Sequence, residues 1–141
     1  MKHSKDLLKK KFSITGDDLI DGEPENCQYC AVALAVARDL ITDLPNAENL
    51  IPNVDGDGNY YIQEKIEDND GYYTHQDRYW IDMKDSDSHE LLDFISWFDV
   101  SANSGNKEVA KDFQEHVVRY DKRPWEIECK LVEVDNERYS T

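Results

Sequence analysis

Between Asp55 and Met83 the chain reads Asp55-Gly56-Asp57-Gly58, Tyr60-Tyr61-Ile62, Asp70-Gly71, Tyr72-Tyr73 and Tyr79-Trp80-Ile81-Asp82-Met83. Short aromatic and β-branched runs separated by Asp-Gly pairs predict hairpins, because glycine takes the positive φ that tight turns require. In the last run Tyr79, Ile81 and Met83 alternate with Trp80, Asp82 and Lys84, so one face points inward and the other is mostly wet. The pattern predicts an antiparallel meander with helices packed against its dry face.

Those helices are readable on both sides. Downstream, Asp87 with Glu90 three residues later has the spacing of a capping box, and Leu91, Leu92, Phe94, Ile95, Trp97 and Phe98 follow at helical intervals. Asn106 opens a second candidate helix with Val109, Phe113, Val117 and Tyr120 on one face. After Pro124, the residues Trp125, Ile127, Cys129 and Leu131 alternate with Glu126, Glu128 and Lys130, which predicts another strand. Upstream, Asn26 is a candidate N-cap, and residues 27–41 run without a breaker through four alanines, a helix slim enough to lie close on a sheet. Residues 1–16, with Leu7 and Leu8 among lysines, read as a basic N-terminal arm or short helix, and residues 17–141 as a single acidic domain. The class is α+β, with an antiparallel sheet of about four strands packed against about three to four helices.

A chain of 141 residues fits one domain with one core. Hydrophobic residues are sparse at 39%, yet 8 Tyr, 4 Phe and 3 Trp supply large buriable side chains. No run approaches the length of a membrane span, and Met1-Lys2-His3-Ser4-Lys5-Asp6 leads into no apolar segment of a secretory signal. The expectation is a soluble protein of the cytoplasm. The formal net charge is −15, which argues against direct binding to a nucleic-acid backbone or an anionic membrane. The charge is regional. Residues 1–16 carry five Lys and one Asp, whereas residues 17–101 carry 21 acids against Arg38, Lys65, Arg78 and Lys84.

Three short stretches carry a resemblance: Cys30-Ala31-Val32-Ala33-Leu34-Ala35, Phe94-Ile95-Ser96-Trp97-Phe98-Asp99 and Pro124-Trp125-Glu126-Ile127. Together they resemble a group of small uncharacterised proteins of phages and mobile elements, which have Cys-Pro-x-Ala-Leu-Ala at a helix start, then Phe-Ile-x-x-Phe-Asp, then Pro-Phe-x-Phe. Ala31 stands where that group has proline, and Trp125 and Ile127 where it has phenylalanine. The resemblance implies a phage or prophage setting and a similar order of elements. It supplies no catalytic residues.

The sharpest chemical motif is Asn53-Val54-Asp55-Gly56-Asp57-Gly58-Asn59-Tyr60-Tyr61-Ile62-Gln63-Glu64, which fits the spacing of a twelve-residue calcium loop. In that alternative reading Asn53, Asp55, Asp57, Asn59 and Glu64 supply the oxygens for Ca²⁺; outside it no cofactor is expected. Pro52 stands where the entering helix of such a loop should end, and there is no second loop to pair with it. Cys27-x-x-Cys30 has the spacing of a redox pair or of half a zinc site with His75, His89 or Cys129, but no preceding strand or second pair completes either pattern. Cys30 and Cys129 fit better as small core residues. The histidines His75, His89 and His116 have no serine or cysteine spaced to form a nucleophile-base pair. The expectation is a protein that binds and does not catalyse.

On this reading the surplus acids stand in for a phosphate backbone. The expected function is an acidic, phage-type inhibitor that binds a basic host nucleic-acid-binding protein, such as CRISPR or restriction machinery. Acids spaced two apart, as in Asp55/Asp57, Asp85/Asp87 and Glu126/Glu128, would form rows along strands. The expected contacts are Asp55, Asp57, Glu64, Glu67, Asp68 and Asp70, with Tyr60, Tyr61, Tyr72 and Tyr73 as aromatic anchors. Two other classes compete: a calcium-binding accessory domain through residues 53–64, and a small structural or assembly protein.

Overall fold

Alternation along the strands sorts the sheet into a dry face and a wet one. The structure is a computed structural model that describes residues 8–55 and 57–134. It holds five strands, β1 (Leu8–Ile14), β2 (Leu50–Val54), β3 (Tyr60–Glu67), β4 (Tyr73–Asp82) and β5 (Trp125–Glu133). They form one antiparallel sheet in the order β1-β5-β4-β3-β2. Phe12, Ile14, Ile62, Ile81, Ile127 and Leu131 point into the core from this sheet and are buried. Glu126, Glu128 and Lys130 point the other way and are exposed.

The core face is covered by α1 (Gly16–Asp21), α2 (Ala31–Val36), α3 (Asp85–Ser101) and α4 (Lys107–Lys122). Leu91, Phe94, Ile95 and Phe98 of α3 meet Phe113 and Val117 of α4 above the sheet. Asn106 caps α4 as its position predicts, its side chain accepting from the Glu108 and Val109 amides. No helix among the described residues is long and apolar enough to cross a membrane.

Four expectations need correction. First, residues 8–14 are neither an arm nor a helix. They are edge strand β1, paired along its whole length with β5. Three consecutive lysines hide it, because only Phe12 and Ile14 show the inward alternation. Charged side chains on an edge are also what deters pairing with a second sheet. The sheet therefore has five strands.

Second, the alanine helix begins at Ala31 rather than Cys27, since the Asn26 carboxamide is taken up by the Gln28 and Tyr29 amides and the Cys30 sulfur caps Ala33. Third, that helix widens into a π-helical turn over Ala37–Ile41. The turn lets the Arg38 guanidinium reach Asp18, Asp39 and the Ser13 carbonyl, while Asp39 accepts from the Ser13 amide. One polar node thus ties β1, α1 and the helix together. Fourth, α3 begins at Asp85 after Lys84 with no side-chain cap, so Asp87 and Glu90 form no capping box. Asp85 and Asp87 lie in its first turn, where carboxylates complement the helix dipole.

Candidate functional site

The two Asp-Gly stretches build the same turn twice. In the first, the Asp55 carboxylate accepts from the amides of Asp57 (2.9 Å) and Asn59 (3.1 Å), and Gly58 takes φ +88. In the second, Asp68 accepts from Asp70 (2.8 Å) and Tyr72 (2.9 Å), and Gly71 takes φ +84. An aspartate opening such a turn satisfies backbone amides that the bend leaves without strand partners. In each acidic pair one carboxylate therefore folds the chain, while Asp57 and Asp70 extend into solvent.

The turns differ in their surroundings. The first packs against α3, with Gly58 close to Leu92 and Ser88. The second crowns a ribbon. Strand β2 pairs with β3 only as far as Glu64, and β5 pairs with β4 only from Tyr79 onward. Among the described residues, positions 65–77 thus run as two strands with no third strand paired on either side, and at their base the Val134 amide donates to the Arg78 carbonyl. Glu67 to His75 are exposed without interruption. An unsupported two-stranded ribbon is marginal in water. This one is held at its base by the Arg78–Glu64 ion pair and by Gln63 donating to Asp77 (2.9 Å). Further out, the Lys65 ammonium lies 4.0 Å over the Tyr73 ring.

The ten expected contacts separate along this geometry. Glu67, Asp68, Asp70, Tyr72 and Tyr73 share the ribbon tip, where Tyr72 is 71% and Tyr73 55% exposed. Asp55 and Asp57 lie at the far end of β3, whose eight residues span roughly 25 Å. Glu64 faces Arg78. Tyr60 is a core residue, 2% exposed, with its hydroxyl donating to the Ser88 carbonyl, and burial raises its pKa to about 12. Tyr61 lies on the wet face of the sheet opposite Trp80, which lies opposite Val132.

The calcium-loop residues do not converge either. Asn53 pairs with Tyr61 on the wet face, whereas Glu64 pairs with Leu50 on the core side, so the first and last oxygens of the motif point to opposite sides of a hairpin. Of the three acid pairs expected as strand rows, Asp55/Asp57 is a turn and Asp85/Asp87 a helix start. Glu126/Glu128 lies on β5 beside Lys11, whose ammonium is 3.5 Å from Glu126.

A second feature combines residues that the sequence marks only as core. Phe94 forms the floor of a cleft between α3, α4 and the start of β5, with ring centroids 5.6 Å from Trp97, 6.1 Å from Tyr120 and 5.7 Å from Trp125. His116 closes the wall, 4.2 Å from Trp97 and 6.1 Å from Tyr120. Its Nδ1 lies 2.9 Å from the Asp112 carbonyl, which can only accept, so Nδ1 carries a proton. The cavity measures about 710 Å³, within the range of ligand sites. Helical spacing places Trp97 and Tyr120 on inward faces, but periodicity cannot tell that they stay half-open to water.

The three cysteines are free thiols: Cys27 is exposed, and Cys30 and Cys129 are buried. Burial pushes the Cys129 thiol up to about 12 and also raises Cys30. His75 is on the ribbon opposite Lys65, and His89 is exposed on α3. Among the described residues no three His, Cys, Asp or Glu side chains gather in a group able to hold a metal ion. No family model, curated protein or solved structure matches the chain.

Proposed function

We propose that this chain is an acidic binding protein of the phage-inhibitor type, which engages a basic, nucleic-acid-binding host protein through the β3–β4 ribbon. The observation that carries the reading is the ribbon itself. Residues 65–77 extend past the other described strands of the sheet, and their tip combines Glu67, Asp68 and Asp70 with the exposed rings of Tyr72 and Tyr73. Aromatic anchors beside charge are the usual make-up of an interface centre. The ribbon's base is stapled by polar pairs, so it meets a partner already ordered and loses less entropy on docking. The net charge of −15 adds steering toward a positive surface and predicts binding that weakens as salt rises.

The test compares two charge-matched variants. One carries Glu67→Lys and Asp70→Lys with Tyr72→Ala and Tyr73→Ala. The other carries Glu108→Lys and Glu115→Lys on α4. Asp68 is left intact because it builds the turn. Capture of a basic protein that duplex DNA or RNA competes away should disappear with the ribbon variant and persist with the α4 variant. Equal capture by both would remove the ribbon from the reading.

A further inference from the structure

The aromatic cleft lies at the opposite end of β5 from the ribbon. Trp125 begins the strand, and the ribbon leaves the sheet near Glu133, eight residue steps or roughly 26 Å away. A partner gripping the ribbon tip leaves this cleft open, so its purpose is a separate question.

Its chemistry has one direction. The rings of Trp97, Tyr120 and Trp125 keep part of their surface in water, and the π faces of aromatic rings attract cations. Glu90 is four residues before Phe94 and Asp93 four before Trp97, so each carboxylate sits one helical turn above a ring of the cleft. Both are exposed, and no described lysine or arginine pairs with either. Burial is the main cause that raises the Tyr120 phenol pKa, and the Glu90 charge, reaching across the cleft, adds to it. Two arginines also line the cleft: Arg119 precedes Tyr120 on α4, and Arg123 follows the last turn of that helix, its backbone amide donating to the Arg119 carbonyl. An anionic ligand would enter against the field of a −15 protein.

We infer that this cleft receives an arginine side chain of a partner polypeptide, with the guanidinium stacked among Trp97, Tyr120 and Trp125 and paired with Glu90 and Asp93. Arginine fits better than lysine because its flat, weakly hydrated head stacks on rings while donating two parallel hydrogen bonds to a carboxylate. The volume of about 710 Å³ leaves room for the flanking backbone.

The three tryptophans make the test internal, since Trp97 and Trp125 line the cleft while Trp80 sits on the wet face of the sheet. The full chain is titrated with the amidated peptide Gly-Arg-Gly, following the three indole N–H signals by NMR. The peptide carrying citrulline, which has the same shape without the charge, serves as the control. The arginine peptide should shift the Trp97 and Trp125 signals and leave Trp80 in place, and citrulline should bind about tenfold more weakly. Glu90→Gln with Asp93→Asn, both at exposed positions, should weaken arginine binding by a similar factor while the spectrum elsewhere stays unchanged. The inference is overturned if citrulline binds equally, if Trp80 moves with the other two, if the double variant binds like the parent, or if no indole responds. The ribbon variant described above should bind the peptide normally, which separates failure of this site from failure of the ribbon.

Discussion

Asp68 and Asp70 are two residues apart with the same side chain, yet their roles differ. Asp68 holds two backbone amides of the ribbon turn and Asp70 holds none of those described. Hydrogen bonds from amides to a carboxylate contribute about 1.5–3 kcal/mol where sheltered and less at an exposed tip. Asp68→Ala should therefore speed amide exchange across residues 65–75, whereas Asp70→Ala should leave it near the parent rate. Equal exchange in both variants would mean that the turn is set by Gly71 alone. The cysteines are separated in the same way by their surroundings. A thiol reagent at neutral pH should modify Cys27 alone in the folded protein and all three in denaturant, with the count read by mass spectrometry. Burial also creates an alkaline weakness. Tyr60 and Cys129 keep their protons to about pH 12 when folded, against ordinary values of 10.0 and 9.0. Between those limits the unfolded chain has released protons that the folded chain retains. Stability is then complete below about pH 9 and falls as pH rises toward 12. Denaturant midpoints that hold level from pH 8 to 11 would contradict this.

At the level of elements, the π-helical turn after α2 is explained by what it delivers. Arg38 contacts Asp18 at 2.7 Å and also reaches Asp39 and the Ser13 carbonyl, while Asp18 is buried and additionally accepts from the Thr15 amide. Removing Arg38 would leave the Asp18 charge buried beside one remaining partner. Because the arginine is itself partly in water, Arg38→Met should cost about 2–3 kcal/mol, toward the lower end for breaking a sheltered pair. Asp18→Asn in the same chain should recover part of that loss, as seen in urea midpoints. If the single variant is as stable as the parent, the node contributes geometry and no net stability. The loss should also free β1 at the sheet edge, since Ser13 is held from both its amide and its carbonyl by this node.

For the whole molecule, acids among the described residues occupy the helix layer, both hairpin turns and the wet face of the sheet, and ion pairs to lysine or arginine hold Asp18, Asp39, Glu64 and Glu126. Self-repulsion on this scale is relieved by screening. The melting temperature should rise between low salt and about 0.5 M sodium chloride, where the Debye length is a few ångströms. A fall over that range would show that the remaining ion pairs outweigh the repulsion. The same addition should weaken capture of a basic partner, so stability and binding are expected to move in opposite directions with salt.

Much of the architecture follows from local pattern. Residues 60–82 carry aromatic and β-branched runs cut by the Asp70-Gly71 turn. Residues 91–98 and 106–120 repeat at helical spacing, and residues 125–131 alternate again, so the β3–β4 hairpin, the aromatic helix pair and the last strand were legible in the sequence, while β2 and the continuity of β4 through residues 74–78 were not. Strand β1 was not, because its place depends on the open edge of β5 some 115 residues away and its own lysines argue against burial. The candidate sites were half legible. Composition marks residues 55–73 as acidic and rich in tyrosine, but only pairing lengths decide that Glu67 to Tyr73 project as a ribbon while Tyr60 is buried and Glu64 meets Arg78. Periodicity likewise assigns Trp97, Tyr120 and Trp125 to inward faces, and only the packing of α3 against α4 and β5 leaves a cleft between them. Side-chain direction is a local property of a helix or strand. The space left between elements depends on contacts distant in sequence, and it is decided when the chain folds.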